Sequence, residues 1–202
     1  MATGYQKSMF SSTDQKAMTP DDVMVKIQRW FAHGQRMYDP CPADWDPETM
    51  RDGLVGDWGA CNYVNPPYND LARWMAKCVE QSNKGKRVIC LIPQRGDVNW
   101  WHDYVLAHAD EIHFIRQGIR FKASNGKGAR ANGTYKRKCP FAICIVVYTG
   151  KSAGKSGCPS IHSIDFYEEE KAELARQKAE AKARKKRKRL VQTASPKLVE
   201  TQ

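Results

Sequence analysis

Four consecutive residues, Asn65, Pro66, Pro67 and Tyr68, carry groups that could hold an amine attached to an aromatic ring. Each proline fixes its own φ and forces the residue before it into an extended conformation, so the carbonyls of Asn65 and Pro66 can accept hydrogen bonds. Asn65 adds a side-chain carbonyl, and the ring of Tyr68 can lie against a planar substrate. The same residues would also suit an ordinary tight turn.

The flanking segments predict that this motif lies at the carboxyl end of a buried strand. An apolar run at 58–64 precedes the motif, and a helical pattern at 71–79 follows it, with Asn69 or Asp70 as its cap. Residues 87–93 form a continuous apolar run, as expected of a central parallel strand. This strand, helix and strand predict one crossover unit, and open α/β sheets bind their ligands at the carboxyl ends of strands.

The stretch from Asn65 to Lys77, Asn-Pro-Pro-Tyr-Asn-Asp-Leu-Ala-Arg-Trp-Met-Ala-Lys, resembles the small phage and prophage DNA N6-adenine methyltransferases of the Dam type. The resemblance implies that S-adenosylmethionine donates a methyl group to the exocyclic N6 amine of adenine in double-stranded DNA. It makes Asn65, Pro66, Pro67 and Tyr68 the catalytic motif. The Asn65 side chain and the Pro66 carbonyl would hold the amine, and Tyr68 would stack on the flipped base. No metal is needed.

Thr19 and Pro20 are suited to start a helix, as the N-cap and the first helical residue. Val23, Ile27, Trp30 and Phe31 then fall on one face, and Gly34 can end this helix. The resemblance implies a second role, because a Thr-Pro upstream of the cofactor motif helps to hold the methionine end of the cofactor.

Asp39 and Pro40 follow a short predicted strand at 36–38 and look like the start of the cofactor-binding loop of this family, to which Asn65 would also contribute. A structural turn is the alternative. Many relatives carry a glycine-rich turn here, whereas this chain has no glycine between Gly34 and Gly53. A close approach of the backbone to the cofactor must therefore be made differently or not at all. The short spacing from Asp39 to Val64 predicts an abridged fold. The acidic residue for the cofactor ribose stays open among Asp44, Asp46 and Asp57.

A net charge of +11 points to a polyanionic partner. Residues 116–140 contain no acid and lie between apolar runs at 112–115 and 141–148, so they suit an arm that closes on DNA. A solvated basic loop is the alternative. Arg95 lies in a Leu-x-Pro-x-Arg-x-Asp string that resembles one in the family, where it would pair with a phosphate. The alternative is that the segment only caps a helix at Asp97. The predicted DNA-binding residues are Arg95, Arg116, Arg120, Lys122, Lys127, Arg130, Lys136, Arg137 and Lys138.

The expected fold class is α/β, an abridged Rossmann-like class I methyltransferase sheet, mostly parallel with an antiparallel edge. We expect a flexible segment at 1–16, the catalytic domain at 17–150, a linker at 151–165 and a charged helical and basic tail at 166–202. This tail has almost no apolar stripe, so we expect it to be exposed to solvent and to add modestly to DNA affinity.

Seven cysteines without a Cys-x-x-Cys pair, and the lack of a signal peptide or long apolar run, predict free thiols in a bacterial cytoplasm and no membrane partner. A monomer and a weak dimer both stay open. Two alternatives for function also remain. One is an RNA or protein-glutamine methyltransferase with the same motif, and the other is a non-catalytic DNA-binding relative.

Overall fold

The computed structural model describes residues 18–119, 121, 139, 141–150 and 157–194, with side chains as far as residue 186. The chain divides into two compact units, Met1–Ile164 and Asp165–Gln202. The second unit contains helix α3 (Glu168–Ala194). The elements of the first unit, in chain order, are α1 (Asp21–Phe31), β1 (Cys61–Val64), α2 (Leu71–Asn83), β2 (Arg87–Pro93), a π-helical segment (Trp101–Leu106), β3 (Glu111–Ile115), β4 (Ile143–Tyr148) and β5 (Ser160–Ile164).

The five strands form one sheet in the order β1-β2-β4-β3-β5. β1 runs parallel to β2 and β3 runs parallel to β5, while β4 pairs antiparallel with both β2 and β3. Four strands therefore point the same way, and their carboxyl ends meet at one edge of the sheet. The predicted α/β class and the Rossmann-like, mostly parallel sheet are confirmed. The antiparallel strand β4 lies inside the sheet rather than at its edge, because it pairs with β2 on one side and with β3 on the other.

Helices cover both faces of this sheet, which explains why β2 and β4 are apolar along nearly their whole length. On one face, α2 and the π-helical segment bury a core that includes Trp74, Met75 and Val105 against Val88, Cys90 and Ile92 of β2. On the other face, Phe31 of α1 lies edge-on against His113 of β3, with ring centroids 4.8 Å apart. Since α1 and α2 lie on opposite faces, the sheet is buried on both sides.

Helix α1 differs in detail from the prediction. It begins at Asp21 after Pro20, and no side chain caps it, so Thr19 is not its N-cap. It ends at Phe31, and Gly34 follows in a left-handed conformation with φ of +78°. Val23, Ile27 and Phe31 are buried as predicted, whereas Trp30 is 38% exposed. Helical spacing alone therefore predicted the buried face well and the ends less well.

The segment expected to be a linker, 151–165, contains the edge strand β5. Its sequence, Ser-Ile-His-Ser-Ile, has no apolar run, because an exposed edge strand needs little apolar surface. In the second unit, α3 carries three glutamates in its first turn, and its side chains from 172 to 186 are exposed. Among the helices of the described residues, none combines the length and the apolar character needed to cross a membrane.

Candidate active site

A cleft of about 620 Å³ opens at the carboxyl end of β1. Its wall brings together five of the residues predicted from the sequence, namely Thr19, Asp39, Pro40, Asn65 and Pro67. Pro20 and Pro66 are buried beside these residues in the chain, and neither lines the cleft. Residues far apart in sequence thus meet at the edge of the sheet where parallel strands end, the position at which α/β proteins bind ligands.

Backbone pairing explains why Asp39 lies beside Asn65. Tyr38 pairs in parallel with Asn62 on the free side of β1, and its amide donates to the Cys61 carbonyl at 2.9 Å. The chain after Tyr38 therefore leaves the sheet at the same edge as the chain after Val64. Cys41 joins the two segments, since its amide donates to Asp39 Oδ1 at 2.9 Å and its thiol lies within hydrogen-bond reach of the Asn65 backbone.

Asp39 occupies an environment that disfavours its charged form. Burial against the cleft walls raises the pKa of Asp39 to about 6, and the nearby Asp44 adds to the rise, while the Cys41 amide opposes it. Asp39 nevertheless stays in contact with solvent. A ligand that brings a positive charge or hydroxyl donors would therefore stabilise the carboxylate.

Thr19 is fixed to the sheet by its side chain. Its hydroxyl lies 2.7 Å from the phenolic oxygen of Tyr63, a buried residue of β1 that also lines the cleft. Burial raises the pKa of the Tyr63 hydroxyl far above its ordinary value, so this group stays protonated. The hydrogen bond connects the segment before α1 with the strand that ends at Asn65.

Gly53 makes a close backbone contact with Pro40, at the start of the Asp39 loop. A Cβ atom at this position would lie 2.0 Å from the carbonyl oxygen of Pro40, so only glycine fits without a shift of the chain. The Gly53 carbonyl accepts a 2.7 Å hydrogen bond from the buried indole of Trp58. The glycine follows Asp39 by fourteen positions rather than standing next to it, and the loop between them folds back onto Pro40.

The acidic residues divide into two groups. Asp44 lines the cleft, as does Asp52, which the sequence analysis did not consider. Asp46 bonds within its own loop to Thr49. Asp57 pairs with Lys84 at 2.8 Å, and the hydrogen bond from Lys84 is the main cause of its lowered pKa. Asp46 and Asp57 are therefore not part of the wall, whereas Asp44 remains a candidate.

Trp45 and Leu54 also line the cleft and were missed. They lie in a loop without regular periodicity, where the sequence offers no signal for burial or contact.

Tyr68 lies close to Cys139 and Phe141, where the basic segment of residues 116–140 ends. Its ring packs edge-on against Phe141, with centroids 5.5 Å apart, and Cys139 is close enough to influence its ionisation. Burial raises the pKa of Tyr68, so its hydroxyl is neutral. The amide of Cys139 donates to the carbonyl of Ile119 at 3.0 Å. The chain therefore departs toward residue 120 and returns at residue 139 near the Asn-Pro-Pro-Tyr motif.

Two of the predicted DNA-binding residues lie within the described chain. Arg95 follows β2 and makes two hydrogen bonds to Asp97, at 2.9 and 3.2 Å, so Asp97 holds this cation instead of capping a helix through its side chain. Arg116 is exposed at the carboxyl end of β3. Both stand at the same edge of the sheet as Asn65. The other predicted residues lie outside the described chain, namely Arg120, Lys122, Lys127, Arg130, Lys136, Arg137 and Lys138.

Comparison with known proteins agrees with this geometry. No curated protein matches the chain. The family model described as DNA N-6-adenine-methyltransferase (Dam) matches residues 46–153, which is more than half of the chain and includes the Asn-Pro-Pro-Tyr motif. The chain belongs to the DNA N-6-adenine-methyltransferase (Dam) family.

Proposed function

We propose that this chain transfers a methyl group from S-adenosylmethionine to the N6 amine of adenine in double-stranded DNA. The observation that carries the proposal is that a single cleft is lined by the Asn65 end of β1, by the Asp39 loop and by Thr19. These three segments lie in separate parts of the sequence. Family membership supports the same reaction. A simple turn at Asn65 would not require these neighbours.

The walls of the cleft fit the proposed cofactor in size and chemistry. A volume of about 620 Å³ is within the range of small-molecule sites, roughly 300–1,000 Å³. The carboxylates of Asp39, Asp44 and Asp52 can accept hydrogen bonds from hydroxyl and ammonium groups, while Trp45 and Leu54 offer apolar surface to a flat ring. When bound, the cofactor supplies an electrophilic methyl group on a sulfonium.

The Asn65 motif would hold the substrate amine. Asn65 lines the cleft and offers its side-chain carbonyl. Among the described residues, the Pro67 carbonyl accepts the Asp70 amide at 3.1 Å, whereas no backbone amide bonds to the Pro66 carbonyl. Of the two proline carbonyls, that of Pro66 is therefore the one left for the amine, although Pro66 itself lies beside the cleft wall rather than in it. Two acceptors that fix the direction of the nitrogen lone pair act by orientation, which can lower a barrier by up to about 7–11 kcal/mol.

DNA is the favoured substrate because of the charge around this edge. The chain carries a net charge of +11, and Arg95 and Arg116 stand at the ends of β2 and β3. Lys and Arg side chains contact phosphates irrespective of sequence, which supplies affinity and positions the duplex. The neutral ring of Tyr68, packed on Phe141, would then stack on a base that has left the duplex.

A labelling experiment tests the proposal. The full chain is incubated with methyl-labelled S-adenosylmethionine and, separately, duplex DNA, RNA and a protein lysate, and the labelled product is identified after digestion. We expect label on N6-methyladenine from DNA. Asn65→Ala should lower the rate on the order of 100-fold, as loss of one oriented polar contact does in other active sites, with Tm changed by only a few degrees. Asn83→Ala, at the far end of α2, is the matched control.

Each of the other possible results of this experiment would indicate a different function for the chain. Label in RNA or on glutamine would show a different substrate for the same motif. Absence of label in all three samples, together with no heat of cofactor binding in calorimetry, would refute the proposal and favour a DNA-binding relative without catalysis. Unfolding of Asn65→Ala at room temperature would support the structural turn.

A further inference from the structure

Three potential metal ligands lie together at the far side of the sheet from β1. Glu111 and His113 are two residues apart on β3, so their side chains project from the same face. His162 of β5 is the register partner of His113 in the parallel pair, which places it on that face as well. β2 and β4 separate this group from β1, so it is distinct from the cleft at Asn65.

The ligand atoms of these three residues already lie close together. One ligand atom from each of them falls within 4.8 Å of the others. His113 Nε2 lies 2.7 Å from Glu111 Oε2, and the rings of His113 and His162 are stacked with centroids 4.6 Å apart and an angle of 19°. The strand pairing therefore brings two imidazoles and a carboxylate into one cluster without help from a flexible loop.

His113 has a nitrogen that the protein leaves unsatisfied. The residue is 9% exposed, and its Nδ1 atom is buried without a hydrogen-bond partner among the described residues. Phe31 covers one side of the ring and offers it no polar group. Nδ1 lies across the ring from Nε2, the nitrogen that faces Glu111, so Nδ1 can carry the ring proton while Nε2 offers its lone pair to a cation.

We propose that Glu111, His113 and His162 bind a divalent first-row transition-metal cation of the zinc type, with water completing the coordination. Two imidazoles and one carboxylate are an established donor set for zinc, and imidazole suits cobalt and nickel as well. Metal–ligand distances of about 2.0–2.2 Å require ligand atoms roughly 3.4 Å apart. His162 is exposed on the edge strand, so rotation of its side chain can close the remaining gap. The bound cation would fasten β5 to β3.

The neighbouring groups support this assignment. His162 Nε2 lies 2.9 Å from Ser160 Oγ, so a second-sphere hydrogen bond is available to orient its ring.

Cobalt titration of the full chain tests the site, because the spectrum of Co²⁺ reports its ligands. We expect one equivalent to bind with visible d–d bands and no thiolate-to-cobalt charge-transfer band, even though the chain has seven cysteines. Zinc should displace the cobalt and raise Tm. His162→Ala and Glu111→Gln should each weaken cobalt binding at least tenfold, whereas His108→Ala, which changes a histidine outside the cluster, should bind as the unaltered chain does.

Three results would overturn the proposal. The first is a charge-transfer band that locates the cobalt on cysteine. The second is binding by His162→Ala equal to that of the unaltered chain. The third is no binding by either protein, which would leave Glu111 and His113 as a simple hydrogen-bonded pair. Since His162 lies exposed on an edge strand, its replacement should not unfold the protein, and equal circular dichroism spectra would verify this.

Discussion

Replacement of Gly53 by alanine tests whether the close contact with Pro40 shapes the cleft. The added Cβ would lie 2.0 Å from the Pro40 carbonyl oxygen and 2.9 Å from its carbonyl carbon. Ordinary contact begins at 3.4 Å, so the two backbone segments must separate by about 1.4 Å, the difference between 3.4 and 2.0 Å. This shift would also strain the bond from Trp58 to the Gly53 carbonyl.

The expected cost of Gly53→Ala is about 1–3 kcal/mol, the usual range for overpacking. For a protein of this size, that cost lowers Tm by about 2–12 °C. Because Gly53 and Pro40 both line the cleft, S-adenosylmethionine should bind at least tenfold more weakly. Differential scanning calorimetry and isothermal titration calorimetry measure the two effects.

Gly157→Ala is the matched control, since a Cβ at Gly157 meets nothing within 4 Å. This variant should retain both the Tm and the cofactor affinity of the unaltered chain. The reasoning fails if Gly53→Ala keeps its Tm within 1 °C, a shift of about 0.3–0.5 kcal/mol, and binds the cofactor as before.

Three further substitutions probe the same site. The Asp39 pKa of about 6 lies above its ordinary 3.8, so the contribution of Asp39 to stability without ligand should fall as pH rises from about 4 to 6. Cofactor affinity should fall as pH drops below about 6. Both dependences should be smaller in titrations of Asp39→Asn, and equal dependences in the two proteins would refute this role of Asp39. Thr19→Val leaves the buried Tyr63 hydroxyl without its partner and should lower the free energy of unfolding in urea by about 1–3 kcal/mol. The double variant with Tyr63→Phe should lose less stability than the sum of the two single variants. Phe141→Ala removes an edge-on ring contact with Tyr68 worth about 0.5–1.5 kcal/mol. The main effect should be a lower kcat, with a smaller effect on Tm. An unchanged kcat would mean that the contact does not position the Tyr68 ring.

Much of the central fold follows from local sequence patterns. The run at 87–93 and the helical spacing at 71–79 correspond to β2 and α2, because a strand buried on both faces is apolar throughout and a helix buried on one face is apolar every three or four residues. Strand β5 carries no such signal, since most of its residues are exposed. Its pairing with β3 makes β5 the edge strand on that side. The antiparallel strand β4 is interior because it pairs with both β2 and β3.

The candidate site was predictable only in part. Asn65 and Asp39 were identified from the resemblance to the Dam-type enzymes together with their positions after strand-like runs. Asp52 and Gly53 were not assigned to the cleft, because an irregular loop leaves no periodic pattern. The contact between Gly53 and Pro40 depends on how that loop returns to the sheet, which is a long-range property.

By itself, the sequence determined the chemistry of the Asn-Pro-Pro-Tyr motif, since proline restricts its own backbone and that of the preceding residue wherever the chain lies. Only the tertiary structure decided which residues surround that motif. The pairing of Tyr38 with β1 placed Asp39 beside Asn65, and the register of β3 with β5 brought His113 to His162. Backbone preferences act over a few neighbouring residues, whereas these contacts arise from hydrogen bonds between strands and from burial of both faces of the sheet.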